Sequence, residues 1–271
     1  MTDVDVKLCC ARLYESELVS RLLGDSFHPG GAALTERLGA IVQLTADTRV
    51  VDVAAGRGTS AFVLADRFGC YVTGIDLSAQ NLARAAAGAA SLPLAKRPAF
   101  AVGDAERLPF ADASIDAIVC ECAFCTFPDK SAAAREFARV LRPGGRIGIS
   151  DVTRAHDLDD AFADLASWIA CIAGAMPPGG YAQWLTESGF TDVVIEEHDR
   201  ALLEMVNEIG KRLFAARLLD GLQKIDMPGV DFEAAQRLTR QAVEAVRGGR
   251  LGYAIIAATK CEPGHRVERT E

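Results

Sequence analysis

Val50-Val51-Asp52-Val53-Ala54-Ala55-Gly56-Arg57-Gly58-Thr59 is the stretch whose reading decides the fold. A short apolar run carries an acid, breaks into glycines and then enters a helical pattern. That is a strand, a tight turn and a helix N-terminus. Gly56 and Gly58 have no Cβ, so a ligand can approach the backbone closely there. The helix that follows, Ser60–Phe68, points free N–H groups at the same spot. Eighteen residues after Gly58, Ile75-Asp76-Leu77 ends a second strand with a carboxylate. That is the spacing of an acid that accepts hydrogen bonds from a ribose.

The chain has 271 residues, enough for one large domain with a small appendage, and half of them are apolar. A net charge of −8 argues against nucleic acid or an anionic membrane as partner. No apolar run approaches the roughly 18–20 residues of a membrane span, and Met1–Lys7 lacks the pattern of a signal peptide. A cytoplasmic protein is expected, with its eight cysteines as thiols. They are Cys9, Cys10, Cys70, Cys120, Cys122, Cys125, Cys171 and Cys261, and they form no paired C-x-x-C zinc framework.

Outward from the glycine turn, residues 1–45 read as a helical cap, with helices over Ala11–Leu23 and Leu34–Leu44. Strands are expected at Val50–Val53, Tyr71–Ile75, Ala99–Gly103, Ile115–Cys120 and Arg146–Ser150. Helices are expected at Ser60–Phe68, at Gln80–Ala90 behind the N-cap Ser78, and at Lys130–Leu141, stopped by Arg142-Pro143-Gly144-Gly145. Leu158–Ala175 reads as helical, Pro177–Gly180 as a break, and Tyr181–Ser188 as a helix closed by Gly189. A sixth strand, Thr191–Glu197, and a last one, Gly252–Lys260, flank a helical insertion at 198–250. The tail 261–271 reads as loose.

Apolar runs of about five residues alternate with helical patterns of about ten, which predicts a doubly wound α/β fold with a seven-stranded, mostly parallel sheet. Right-handed crossovers bring the C-terminal ends of the parallel strands to one rim. Gly56, Asp76, Asp104, Cys122 and Asp151 are expected on that rim, and the active site with them.

With these motifs in order, the chain over about residues 45–260 resembles the class I S-adenosylmethionine-dependent methyltransferases. The family's D/E-x-G-x-G-x-G motif corresponds to Asp52–Gly58, with Ala54 where the first glycine usually stands. Gly103-Asp104-Ala105-Glu106-Arg107-Leu108-Pro109-Phe110, Asp112–Asp116 and Arg139-Val140-Leu141-Arg142-Pro143-Gly144-Gly145 add specific signals. The resemblance implies S-adenosylmethionine as cofactor, and a methyltransferase domain spanning 46–260. It implies Asp52, Ala54, Gly56, Gly58, Asp76, Leu77, Asp104, Ala105 and Glu121 as cofactor-binding residues. Asp76 would hold the ribose hydroxyls, Asp104 the adenine amino group, and the Ala105 N–H a ring nitrogen. Methyl transfer is an in-line displacement on an activated carbon, so the protein's main task is alignment.

Ala117–Lys130 puts three thiols, Cys120, Cys122 and Cys125, at the end of the fourth strand. Strand alternation places Cys120 and Cys122 on one face if the strand continues. Isolated cysteines are commonly small buried hydrophobes, but three within six residues at a catalytic rim suggest chemistry. The segment from Cys122 to Pro128-Asp129-Lys130, and the later Cys171-Ile172-Ala173-Gly174-Ala175, resemble the arsenite methyltransferases. That resemblance implies Cys122 and Cys171 as thiolates on trivalent arsenic, with a third from Cys9 or Cys10, and Cys10 as the first choice. Cys120 and Cys125 would be added ligands or resolving thiols. Arsenic is thiophilic, and soft centres select sulfur. Bound by three sulfurs, it keeps a lone pair as nucleophile, and a thiol reductant would be a further partner.

Two other readings stay open. One is methyl transfer to a carbon, nitrogen or oxygen of a small metabolite, with His28, Glu121, Asp151 or Tyr181 as base. His28 reads equally as a structural or capping group, and Glu121 as solvent-facing. The other is a non-catalytic, thiol-rich metalloid binder built on the same scaffold. Cys70 reads as core and Cys261 as incidental.

Overall fold

The structure is a computed structural model; it describes residues 15, 28–93, 97–155, 171–172, 174–221 and 231–262. Seven strands form one sheet: β1 Arg49–Val53, β2 Tyr71–Asp76, β3 Ala99–Val102, β4 Ile115–Glu121, β5 Leu141–Arg154, β6 Phe190–Glu197 and β7 Leu251–Lys260. Their order is β3-β2-β1-β4-β5-β7-β6. The first five are parallel, and β7 runs antiparallel to both β5 and β6. The expected doubly wound sheet is therefore present.

The helices are α1 Gly31–Ile41, α2 Thr59–Phe68, α3 Ala79–Ala90, α4 Lys130–Val140, α5 Pro178–Glu187, α6 Asp199–Gly221 and α7 Phe232–Arg247. Ser78 caps α3 as expected, its hydroxyl accepting from the Asn81 N–H at 3.0 Å. Asp129 caps α4 through the Ala132 N–H at 2.8 Å.

Strand alternation divides the core in two. Val50, Val72, Ala117, Val119, Tyr253 and Ile255 pack with α1 and α2 residues on one face. Val51, Val53, Ile118, Cys120, Ile147 and Ile149 pack with α4 and α5 on the other. The central strands β4 and β7 are apolar on both sides because both sides are covered, while β3 and β6 at the edges are partly exposed.

Local departures have local causes. The Arg142–Gly145 stop does not separate α4 from a short strand. Leu141 already pairs with Ile115, a register shift absorbs the extra residues, and β5 runs 14 residues to Arg154. Asp151 is thus inside a strand rather than at its end. The break at Pro177–Gly180 becomes the first turn of α5, because proline at a helix start loses no hydrogen bond. Cys261 is not loose at its backbone, since its N–H donates to the Gly189 carbonyl at 3.0 Å. The expected helices over Ala11–Leu23 and most of Leu158–Ala175 fall outside the described residues.

Candidate active site

The loop between β1 and α2 bends over the ends of β1, β2 and β4. Ala54, Gly56 and Gly58 all take positive φ, at 60°, 53° and 79°. Asp76 ties this loop to β2: one carboxylate oxygen accepts from the Gly56 N–H at 2.8 Å, and the other from the Ser78 N–H at 2.7 Å. Burial pushes its pKa up, against the pull of those two amides. Asp104 closes its own turn by accepting from the Glu106 N–H at 3.0 Å.

These residues wall a pocket. Asp52, Ala54, Gly56, Asp76, Leu77, Asp104, Ala105, Glu121 and Cys122 all line it, with Arg57, Ser60, Asn81, Thr126 and Phe127. Gly58 is not among the residues that line this pocket. A Cβ at Gly58 would come within 2.7 Å of the Phe100 ring and 3.0 Å of Ala85, so its glycine character serves packing and the left-handed turn.

Glu121 faces inward, not into solvent. Its Oε2 accepts from the Thr35 hydroxyl at 2.8 Å and the Ser60 hydroxyl at 2.6 Å, and its Oε1 accepts from Ser150 at 3.1 Å. His28 Nε2 lies 3.6 Å from the same carboxylate, and its Nδ1 meets the Pro29 carbonyl at 3.1 Å. Asp52 is nearly fully buried, and one of its oxygens has no hydrogen-bond partner among the described residues. Burial raises its pKa far above the carboxylate range, and the charges of Glu121 and Asp76 add to the rise. Asn81 also keeps an unpartnered buried oxygen. Asn81 was not singled out in the sequence; its position three residues after the cap Ser78 is the one local signal it carries.

The thiols divide. β4 ends at Glu121, and Cys122 takes φ 52°, so alternation stops and Cys122 turns to the face opposite Cys120. Cys120 is fully buried core, and so is Cys70, whose thiol donates to the Leu64 carbonyl at 3.4 Å. Cys171 also takes a positive φ, 61°. Its thiol is in hydrogen-bond contact with the thiols of Cys122 and Cys125 and donates to the Cys122 carbonyl at 3.4 Å. The Cys171 contact and burial raise the Cys122 pKa; burial first, then Cys171, raises that of Cys125. Asp151 lies against this group, fully buried, accepting from the Cys125 N–H at 2.6 Å. Burial chiefly, with the Cys171 charge, pushes its pKa up to about 7.

Among the four base candidates, His28 and Glu121 line the pocket. Asp151 and Tyr181 lie buried away from it, and the Tyr181 hydroxyl donates to the Val152 carbonyl at 2.7 Å. Cys9 and Cys10 are outside the described residues.

A family model described as "Methyltransferase domain" matches residues 51–149. The arsenite methyltransferase of Aquipseudomonas alcaligenes is 31% identical over 244 residues, covering 82% of this chain and 69% of that protein. The chain belongs to the S-adenosylmethionine-dependent methyltransferases. The methyltransferase GfsG of Streptomyces halstedii is 38% identical over 136 residues, and the match spans 50% of this chain and 49% of that one, about half the relative's length. In fold, the chain is similar to a phosphoethanolamine N-methyltransferase of Haemonchus contortus, with a TM-score of 0.76 at 20% identity, covering 90% of this chain and 57% of that one.

The pocket suits this family's cofactor. S-adenosylmethionine is a nucleoside with hydroxyl and amino donors and a cationic sulfonium. The pocket offers four carboxyl groups, Asp52, Asp76, Asp104 and Glu121, and, among the described residues, oxygens without a partner on Asp52 and Asn81.

Proposed function

We propose that this protein transfers the methyl group of S-adenosylmethionine to trivalent arsenic bound by cysteine sulfur. The observation that carries the reading is the meeting of Cys122 and Cys171, 49 residues apart in sequence. Both are left-handed non-glycine residues, and Cys122 is part of the pocket wall. Backbone strain of this kind, about 1–3 kcal/mol per residue, persists where the surroundings impose it, and it clusters at functional sites.

The bound cofactor supplies an activated methyl group. Asp76 and Asp104 would hold its nucleoside end, Glu121 would face its cationic end, and the Asp52 carboxyl would offer one more hydrogen-bonding oxygen. The sulfurs hold arsenic with its lone pair toward the pocket, so the nucleophile needs no general base. A thiol reductant then returns the product arsenic to its trivalent state. Free thiols suit a reducing compartment such as the cytoplasm, and among the described residues no helix is long and apolar enough to cross a membrane.

Incubation with radiolabelled cofactor and arsenite tests the reading. Arsenite-dependent label transfer should occur and should fall at least about a hundredfold in Cys122→Ser and in Cys171→Ser, the scale of losing a residue needed to orient the reactants. Undiminished transfer in both variants would sink it.

A second reading is transfer to a nitrogen, oxygen or carbon of a small metabolite. His28 beside Glu121 on the pocket wall supports it, as does the N-methyltransferase name of the Haemonchus relative. Under this reading His28→Ala, rather than the cysteine variants, removes activity.

A further inference from the structure

Three described thiols, not two, meet beside the pocket. The Cys171 thiol contacts those of both Cys122 and Cys125. Cys122 reaches the pocket wall, while Cys125 and Cys171 lie behind it, 0% and 2% exposed. Cys125 is set there by its backbone: it is the middle residue of a 3-10 turn, Phe124–Thr126, and its N–H is held by Asp151 at 2.6 Å.

We propose that Cys125 is the third sulfur of the acceptor site, and that the Cys122–Cys125–Cys171 trithiol takes a neutral trivalent metalloid hydroxide rather than a divalent cation. This rests on the arsenic reading above. It differs from the expectation that Cys9 or Cys10 completes the set.

Charge is the first reason. A divalent cation on three thiolates leaves a net negative charge in a buried site, and an uncompensated buried charge is costly. A trihydroxide reacts without creating charge. Three S–H and three As–O bonds break, three As–S bonds form, and three water molecules leave with the thiol protons. No oxidant or reductant is consumed, and arsenic stays trivalent.

The three sulfurs, in hydrogen-bond contact through Cys171, would reach a central arsenic after rotation about Cα–Cβ. Placement is the second reason. With Cys125 and Cys171 behind and Cys122 at the wall, the arsenic lone pair is free to face the pocket.

Native mass spectrometry of the full chain with arsenite, and separately with phenylarsine oxide, tests this. Phenylarsine oxide has one valence taken by carbon and needs only two thiols. The wild type should carry one arsenic with three hydrogens lost. Cys125→Ser and Cys125→Ala should retain arsenite about tenfold less or worse, the chelate contribution of one tethered ligand, yet keep phenylarsine oxide. The Cys9→Ser, Cys10→Ser double variant should match the wild type. S-adenosylhomocysteine binding in each variant reports that the pocket is intact. Wild-type retention of arsenite in both Cys125 variants, or its loss in the double variant, overturns the assignment of Cys125 while leaving the arsenic reading standing. No arsenite adduct on the wild type overturns both. Competition by zinc at equal concentration overturns the preference for a neutral hydroxide.

Discussion

At the scale of single residues, the site is built from groups held in states their side chains do not favour. Ala54, Cys122 and Cys171 occupy left-handed backbone, where a Cβ costs about 1–2 kcal/mol. Asp151 is a buried carboxylic acid with its pKa at about 7. A carboxyl raised in the folded state binds more protons there than in the unfolded chain. Its contribution therefore falls as pH rises from its unfolded value, near 4, to about 7, and is flat above. Relative to Asp151→Asn, the wild type should lose about 3 kcal/mol of stability between pH 5 and pH 8, two pH units of linkage at about 1.4 kcal/mol each. Urea unfolding of both proteins at the two pH values measures it. A pH-independent difference would mean that Asp151 keeps its charge in the fold.

At the scale of elements, caps and breaks set the boundaries. α4 starts where Asp129 satisfies the Ala132 N–H, and Asp129 is exposed, so its effect is local. Asp129→Ala should cost about 1 kcal/mol, read as a lower urea midpoint with an unchanged slope. Cap and strand patterns of this kind were legible in residue order: Ser78 and the apolar runs of β1 and β4 were each read without a structure, whereas Asp129 was not read as a cap. Where β4 ends was not legible. Cys122 belongs to the same apolar run as Cys120, and only the bond from its N–H to the Ser150 carbonyl at 2.7 Å, with its positive φ, turns it to the other face.

At the scale of the whole molecule, Glu121 is the point where separate layers join. It ends β4 and accepts hydroxyls from α1, α2 and β5, and Tyr253 of β7 reaches Ser150 in turn at 3.1 Å. Glu121→Ala leaves three buried hydroxyls without their acceptor and should cost about 2–4 kcal/mol. Glu121→Gln keeps an acceptor and the volume, and should cost half of that or less. Thermal unfolding of the two variants separates the roles. Equal losses would mean that the charge, not the hydrogen-bond junction, is what the fold needs.

Residue order by itself determined the sheet, the glycine turn and the acids at the strand ends, because each follows from local periodicity and turn chemistry within a few residues. The resemblance to the arsenite methyltransferases brought forward Cys122 and Cys171 as a pair. Tertiary structure alone decided that Gly58 packs against Phe100, that Glu121 is sealed by hydroxyls from three other elements, and that the Cys125 thiol meets that of Cys171. Those outcomes depend on which groups approach across the sheet. Such approaches are set by the burial of side chains far apart in the chain, and no spacing along one segment encodes them.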